Sequence, residues 1–242
     1  MEPAQLTAAT EGISVGTVAL STVPEPLWPR LAGLLDPAEC DRAARFKFER
    51  DRRQYVAAHA LKRLMLSATA DASVAPQTWT FATAAGGKPH VDGGAGPHFN
   101  LSHSDGLVAC GVSRGFALGV DVERLTDEVP LEFAHGQFAQ EEDRWLQGLP
   151  ATARPSGFFR LWTLKEAYLK AAGIGLVQSM QDFAFSFDPL TVTFHDPTLG
   201  DATTWRFHQR PIGERHMLAL AWQAESRDVP IDVRPMLLQD FV

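Results

Sequence analysis

The chain has 242 residues, of which 45 % are hydrophobic and 21 % are charged, as is typical of a globular protein with a large core. Its formal net charge of −7 argues against a nucleic-acid-binding protein, and its two cysteines provide neither a disulfide framework nor a set of metal ligands. We find no apolar run of about 18 residues and no charged-then-apolar leader, so the sequence predicts no membrane span and no signal peptide. A cytoplasmic, monomeric protein is expected.

The first half of the chain begins with predicted helices that carry many basic residues. Residues 36–39 are a typical helix start, with Asp at the cap, Pro in the first turn and Glu at the third position. Helical periodicity follows over residues 42–48 and 51–70. The basic residues of this region are Arg42, Arg45, Arg50, Arg52, Arg53, Lys62 and Arg63. They form either a solvated basic face or a binding site for an anion such as a 3′-phosphate.

A turn and a polar strand end come next. Residues 86–89 read Gly-Gly-Lys-Pro, a sequence that brings backbone N–H groups close to a ligand in some proteins but is a simple hairpin turn in most. Residues 98–104 alternate apolar and polar side chains and include Ser102 and His103. Hydroxyl and imidazole groups hydrogen-bond phosphate, although a single histidine at a strand end is more often structural.

Two carboxylates lie on the strand predicted over residues 117–123, which is expected to form a hairpin with residues 107–112. Because side chains alternate along a strand, Asp121 and Glu123 share one face. They repel each other unless that face is fully solvated or a cation bridges them. A wet edge strand and a metal site are both consistent with this pair. Removing one carboxylate from a metal-free site should slightly raise the melting temperature.

The second half of the chain is organised around the stretch 158–175, predicted as a helix that ends at Gly173 and Gly175, which supply left-handed and flexible positions. Its apolar stripe consists of Leu161, Leu164, Tyr168, Ala171 and Ala172. Another face carries Glu166 and Lys170 one turn apart, an arrangement that is usually an exposed ion pair. Together with Asp121 and Glu123, however, Glu166 would complete a set of three carboxylates suited to Mg²⁺.

The rest of the second half is a mixture of helix and strand patterns. A helix start is predicted at residues 138–142, and strands are predicted at residues 183–187, 190–194, 204–208 and 217–222. The chain therefore divides into two α+β segments, predicted as an N-terminal half over residues 1–118 and a C-terminal half over residues 119–242.

Three segments in a fixed order, Phe99–Ser104, Gly119–Glu123 and Trp162–Gly173, resemble the signature of the Sfp-type 4′-phosphopantetheinyl transferases. The resemblance covers roughly residues 31–185. It implies an α+β fold with two similar subdomains related by pseudo-twofold symmetry and an active site between them. In the family, the Gly-Lys-Pro sequence lies over the adenine and phosphates of coenzyme A.

The resemblance also implies an activity, that of a holo-[carrier protein] synthase. Such an enzyme moves the 4′-phosphopantetheine arm of coenzyme A onto a serine of an apo acyl, peptidyl or aryl carrier protein and releases 3′,5′-ADP, often in polyketide or nonribosomal peptide biosynthesis. The implied Mg²⁺ ligands are Asp121, Glu123 and Glu166. The implied catalytic residues are Glu166, Lys170, His103 and Lys165, and the implied coenzyme A contacts are Arg42, Arg53, Lys88, Ser102, His103 and Lys170. Glu142 matches a family glutamate, although a helix N-terminus favours acidic residues anyway.

Two other functions are consistent with the same residues. A metal-dependent phosphohydrolase of coenzyme A-like substrates would use the three carboxylates with water as the nucleophile. A non-catalytic coenzyme A-binding module would be expected to lack one of the carboxylates or Lys170, and this chain keeps them all.

Overall fold

The computed structural model describes residues 12–70, 74–94, 96–129, 136–175, 178–225 and 229–241. The helices are α1 (Trp28–Ala32), α2 (Pro37–Ala44), α3 (Glu49–Thr69), α4 (Gln140–Gly148) and α5 (Arg154–Ala172). The strands are β1 (Ile13–Ala19), β2 (Phe81–Thr83), β3 (Pro89–Val91), β4 (His98–Ser104), β5 (Leu107–Ser113), β6 (Leu118–Arg124), β7 (Phe183–Phe187), β8 (Leu190–Phe194), β9 (Trp205–Ile212), β10 (His216–Gln223) and β11 (Ile231–Pro235). The predicted α+β class is confirmed. No described helix is both long and apolar enough to cross a bilayer.

The chain packs into two compact units. The first takes its described residues from 12–85, 89–117 and 229–241, and the second takes them from 86–88 and 118–225. The C-terminal strand β11 belongs to the first unit because it pairs in parallel with β1. The halves at 1–118 and 119–242, their pseudo-twofold relation and a site between them stay predictions.

The first unit is built on a four-stranded sheet with the order β11-β1-β5-β4. Helix α3 packs on this sheet, and its buried side chains, including Leu61 and Met65, form a core with strand residues such as Val108. A small β2-β3 ribbon belongs to the same unit.

The predicted hairpin between residues 107–112 and 117–123 is wrong. β5 pairs with β4 and β1, whereas β6 pairs with β10. The β4-β5 turn consists of Asp105 and Gly106, which have φ angles of 27° and 87°. Asp-Gly is a favoured sequence for such two-residue turns because both residues tolerate positive φ. This local preference explains why β5 turns back onto β4.

Helix α2 begins as the sequence predicts. The Asp36 carboxylate accepts a hydrogen bond from the Glu39 amide at 2.8 Å, and the Glu39 carboxylate accepts one from the Asp36 amide at 3.1 Å. Pro37 occupies the first turn. This reciprocal capping box satisfies two amides that the helix itself leaves without partners.

The second unit is built on a three-stranded sheet with the order β6-β10-β9, against which α5 packs, and on the β7-β8 hairpin. The apolar stripe predicted for α5 is confirmed, since Leu161 and Leu164 are fully buried and Tyr168 is only 1 % exposed. The Tyr168 ring packs against Phe183 and Trp205, with ring centroids 4.6 and 4.8 Å apart. This packing fixes the rotation of α5 about its own axis.

Helix α5 starts earlier than predicted, at Arg154 instead of residue 158. Pro155 lies in its first turn, where proline is tolerated because the missing N–H would have no partner within the helix. The predicted end is confirmed: Gly173 follows the helix in the left-handed conformation with φ 69°.

Strand β6 lies very close to α5. A Cβ atom on Gly119 would be 2.0 Å from the Ala167 carbonyl oxygen and 2.4 Å from the Ala171 nitrogen. Only glycine fits there. Since Gly119, Asp121 and Glu123 alternate with the buried valines of β6, the two carboxylates share the Gly119 face and point toward α5.

Candidate active site

Asp121 and Lys170 form the centre of the candidate site in the second unit. Asp121 is 3 % exposed, and its Oδ1 atom accepts a hydrogen bond from Lys170 Nζ at 2.6 Å. The same ammonium donates to the Val120 carbonyl at 3.3 Å. Of the two alternatives for this strand, a wet face is therefore excluded for Asp121. Lys170 supplies the neutralising charge for a carboxylate that is almost fully removed from water.

Glu166 lies one helical turn before Lys170 and is half-buried. Burial raises the pKa of its carboxyl group, the negative charge of Asp121 raises that pKa further, and the Lys170 charge lowers it in part. The structure thus brings Asp121, Glu166 and Lys170 within electrostatic reach of one another. Perturbed carboxyl groups beside a cation are a common feature of functional sites.

The predicted Mg²⁺ ligands are Asp121, Glu123 and Glu166. Among the described residues, no group of three or more His, Cys, Asp or Glu side chains forms a cluster that could hold a metal ion. The donor chemistry nevertheless fits, since all three predicted ligands are carboxylates, the type that Mg²⁺ prefers. A bound cation would compete with Lys170 for Asp121. The metal site stays a prediction.

Lys165 does not belong to this group, and its predicted catalytic role is corrected. Its side chain is fully buried, and Nζ lies 2.7 Å from the equally buried Glu142 Oε2. It also donates to the carbonyl oxygens of Met180 and Phe183 at 2.6 and 2.7 Å. Burial lowers the pKa of Lys165 and raises that of Glu142, with the mutual attraction of the two charges acting in the opposite direction. Lys165 supports the fold instead of a substrate.

Glu142 provides the negative charge that stabilises the buried Lys165 ammonium. Besides the ion pair, its carboxylate accepts hydrogen bonds from the backbone amides of Ala139 at 3.0 Å and Phe185 at 2.8 Å. One side chain thus caps α4 and links it to α5 and β7. The helix-start pattern at residues 138–142 indicated the cap, but no local signal indicated Lys165.

Lys88 lies in the second unit with Gly86 and Gly87. Its Nζ atom donates to the carbonyl oxygens of Leu118 at 2.9 Å and Ala171 at 3.0 Å. Burial lowers the pKa of Lys88 to about 8. The sequence predicted this lysine as a nucleotide contact, and nothing in the sequence indicated its two carbonyl partners.

Two predicted phosphate-binding residues, Ser102 and His103, are neighbours on β4 in the first unit. Ser102 is 6 % exposed, whereas His103 is exposed. The Gln54 side-chain amide on α3 lies 2.7 Å from His103 Nδ1. Because the amide nitrogen is a donor, Nδ1 accepts, and the neutral ring carries its proton on Nε2. Sequence reasoning missed Gln54, since a single polar residue in a helix is no signal.

Arg42 and Arg53, the two arginines predicted to contact coenzyme A, have different surroundings. Arg53 donates to both oxygens of Glu25, at 2.5 and 2.8 Å, and to Glu49 at 2.8 Å, and its guanidinium lies 5.0 Å from the Trp28 ring centroid. Arg42 is exposed in the last turn of α2, and no carboxylate among the described residues forms an ion pair with it. Arg42 therefore fits an anion contact better than Arg53.

The most buried basic residues of the first unit do not form an anion site. Lys62 Nζ donates to Glu39 Oε1 at 2.6 Å, and Arg63 donates to Glu39 Oε2 at 2.8 Å and to Asp36 at 2.7 Å. Burial alone would raise the pKa of Glu39, but the His59 hydrogen bond and the Lys62 charge outweigh it and hold that pKa far below the usual range. For Lys62 and Arg63 neither a solvated basic face nor an anion site fits, because both cations are buried and paired with carboxylates of the first unit.

Comparison with known proteins assigns the family. Residues 117–221, which include Asp121, Glu166 and Lys170, match the family model of the 4′-phosphopantetheinyl transferase superfamily. The 4′-phosphopantetheinyl transferase HetI of Nostoc sp. is 34 % identical over 181 residues, which cover 73 % of this chain and 75 % of HetI. The chain belongs to the 4′-phosphopantetheinyl transferase superfamily. The predicted family and the predicted class of enzyme are confirmed.

Two further matches cover shorter segments of the chain. The 4′-phosphopantetheinyl transferase gsp of Aneurinibacillus migulanus is 41 % identical over 97 residues, which cover 40 % of this chain and 39 % of gsp. The crystal structure of the holo-[acyl-carrier-protein] synthase of Thermotoga maritima aligns with a TM-score of 0.38 and 24 % identity, over 46 % of this chain and 65 % of that one. That likeness is too low to bear on the site.

Proposed function

We propose that this superfamily member transfers the 4′-phosphopantetheine arm of coenzyme A to a serine of an apo carrier protein and releases 3′,5′-ADP. The observation that carries the proposal is the Asp121–Lys170–Glu166 group, in which β6 and α5 hold two carboxylates and an ammonium together inside the family-matched segment. Acyl, peptidyl and aryl carrier proteins are the candidate acceptors, and polyketide or nonribosomal peptide biosynthesis is the expected setting.

The proposed step is a displacement at phosphorus. The serine Oγ forms a bond to the β-phosphorus of coenzyme A, and the bond from that phosphorus to the bridging oxygen breaks. The bridging oxygen keeps the electron pair and leaves with 3′,5′-ADP. Because the diphosphate is strongly anionic and a serine hydroxyl is a weak nucleophile, positioning and charge neutralisation dominate the catalysis.

The residues of the second unit have complementary roles in this step. Lys170 provides positive charge for the phosphate oxygens, and Asp121 orients its ammonium through the 2.6 Å contact. Glu166 accepts the serine proton, directly or through a water molecule. Its raised pKa suits this role because a carboxylate with a higher pKa is a stronger base.

A divalent cation fits the same group of carboxylates. Asp121, Glu123 and Glu166 would hold Mg²⁺, which when bound neutralises diphosphate oxygens. In the first unit, His103 contributes an Nε2–H that can donate to a phosphate oxygen while Gln54 orients the ring. Arg42 contributes an exposed guanidinium for the 3′-phosphate.

Intact-mass measurement of candidate apo carrier proteins tests the proposal. After incubation with coenzyme A, Mg²⁺ and the protein, the carrier should gain one phosphopantetheine group while 3′,5′-ADP appears in equal amount. A carrier whose serine is replaced by alanine is the matched control and should stay unmodified. Release of 3′,5′-ADP with free phosphopantetheine and no carrier modification would instead indicate the phosphohydrolase, and binding without any product would indicate the non-catalytic module.

The two arginines should differ in their effect on coenzyme A binding. Arg42→Ala should raise the KM for coenzyme A about tenfold, since it removes a charge-assisted phosphate contact. Arg53→Ala should change it less than about twofold, because two carboxylates already occupy that guanidinium. Initial rates at varied coenzyme A concentrations measure both. Dephospho-coenzyme A is the control substrate: it lacks the 3′-phosphate, so the two variants should bind it equally well. The reverse ranking with coenzyme A would contradict the assignment.

The raised pKa of Glu166 predicts an unusual titration of the metal-free protein. Without Mg²⁺, the Glu166 carboxyl group should titrate at a pH above 4.5, the ordinary value for a glutamate. Since the Asp121 charge raises this pKa and the Lys170 charge lowers it, Lys170→Met should raise the pKa of Glu166 and Asp121→Asn should lower it. Carboxyl ¹³C NMR titration of Glu166 measures these shifts without requiring activity. Identical titrations in all three proteins would refute the coupling.

A further inference from the structure

The segment 86–88 packs against the C-terminal end of α5 within the second unit. A Cβ atom on Gly86 would be 1.9 Å from the Gly173 carbonyl oxygen, and one on Gly175 would be 3.4 Å from the Gly86 carbonyl oxygen. No side chain fits at residue 86. The two backbones are therefore in direct contact, which places Lys88 beside the last turn of the helix.

The Lys88 ammonium joins two elements by main-chain contacts. It donates to the carbonyl of Ala171 at 3.0 Å and to that of Leu118, the first residue of β6, at 2.9 Å. The last carbonyls of a helix have no partner within the helix, and a cation near them is stabilised by the helix dipole. Lys88 thus satisfies an otherwise unpaired acceptor of α5 and ties it to the start of β6.

The two joined elements are the ones that carry the candidate catalytic group. Ala171 directly follows Lys170, and Leu118 lies three residues before Asp121. Between these points, Gly119 allows β6 to approach the α5 backbone as closely as an unsubstituted Cα permits. A small shift of the helix end relative to the strand would therefore change the 2.6 Å contact between Lys170 and Asp121 directly.

We infer that Lys88 is a positioning residue, which acts by holding the C-terminal turn of α5 against the start of β6 so that Lys170 and Asp121 meet. This role differs from the predicted direct nucleotide contact, because the ammonium is directed at two protein carbonyls. Burial and a pKa of about 8 are consistent with an internal role. The kinetic part of the inference rests on the proposed transferase function.

Two substitutions separate positioning from ligand binding. Lys88→Met keeps the length of the side chain but cannot donate a hydrogen bond, whereas Lys88→Arg can still donate to both carbonyls. For Lys88→Met we expect kcat to fall at least about tenfold, while the Kd for coenzyme A from calorimetry changes less than about twofold. Lys88→Arg should restore most of kcat. Lys47→Met, at an exposed lysine of the first unit, is the control and should leave both quantities unchanged.

Hydrogen exchange provides a readout that needs no activity. The Gly173 amide donates to the Leu169 carbonyl at 3.0 Å in the last turn of α5. Its exchange should be faster in Lys88→Met than in the wild type and close to wild type in Lys88→Arg. A Kd for coenzyme A that rises tenfold in Lys88→Met with unchanged Gly173 exchange would overturn the inference in favour of direct binding. Unchanged kcat with faster exchange would overturn it in favour of a purely structural contact. If the wild-type protein transfers no phosphopantetheine, the proposed function fails. The exchange experiment still tests the contact in that case, because unchanged exchange of the Gly173 amide in Lys88→Met would refute it.

Discussion

Asp121→Asn should abolish carrier modification and also destabilise the second unit. The substitution removes the charge that orients Lys170 and a predicted ligand of the metal, so kcat should fall by about 10² to 10³ or more. The free energy of unfolding should fall by about 1–2 kcal/mol, less than for a fully buried pair because Lys170 is 29 % exposed. Intact-mass assays and urea unfolding in EDTA measure the two effects.

The structure predicts that Asp121→Asn lowers stability, whereas the sequence alone predicts a small increase. Repulsion between Asp121 and Glu123 alone predicts that removing one carboxylate raises the melting temperature without metal. The structure adds Lys170, which loses the charge of Asp121 in the variant. Asp127→Asn, at an exposed carboxylate beyond the end of β6, is the control and should change neither activity nor stability. A higher melting temperature for Asp121→Asn in EDTA would show that repulsion dominates after all.

Glu142→Gln should cause the largest loss of stability of any substitution considered. Lys165 would then be a fully buried ammonium that has lost its directly paired carboxylate, and breaking such a pair from one side costs about 3–5 kcal/mol. The amides of Ala139 and Phe185 would also lose a charged acceptor. Chemical unfolding followed by circular dichroism gives the change in the free energy of unfolding.

The neighbouring residue provides a matched control for Glu142. Glu141 also has a close side-chain partner, with His195 Nε2 at 2.7 Å, but this contact is exposed, and Glu141→Gln should cost less than about 1 kcal/mol. The double variant Glu142→Leu/Lys165→Met should recover part of the loss, because it removes both charges from the interior. Equal losses for Glu141→Gln and Glu142→Gln would contradict the structural role of the buried pair.

The sequence by itself determined the features that depend on a few neighbouring residues. The capping box of Asp36 and Glu39 and the left-handed end of α5 at Gly173 follow from backbone hydrogen bonding over one helical turn. The buried stripe of α5 follows from the helical period. The signature segments, which are also local, led to the correct family.

Only the tertiary structure decided which charged groups meet. Lys165 and Glu166 are adjacent in sequence, but consecutive helical positions point about 100° apart. The helical period gives the angle between two side chains and leaves open which of them faces the core. Packing of Tyr168 against Phe183 and Trp205 fixes that rotation, so Lys165 meets Glu142 while Lys170 meets Asp121.

Tertiary packing also decides how the strands pair and which partners the basic residues find. Strand composition identified β5 and β6, but the pairing of β5 with β1 and that of β6 with β10 join segments that lie far apart in the sequence. The sequence pattern of Lys62 and Arg63 is typical of surface cations, but both side chains pair with Glu39. The sequence pattern around Lys88 is typical of a ligand contact, but its ammonium donates to two carbonyls that are distant in the sequence. Local sequence patterns specify helices and strands because the backbone conformation of a residue depends mainly on its near neighbours in the chain. Pairing between elements depends on the packing of the whole unit, which no local pattern contains.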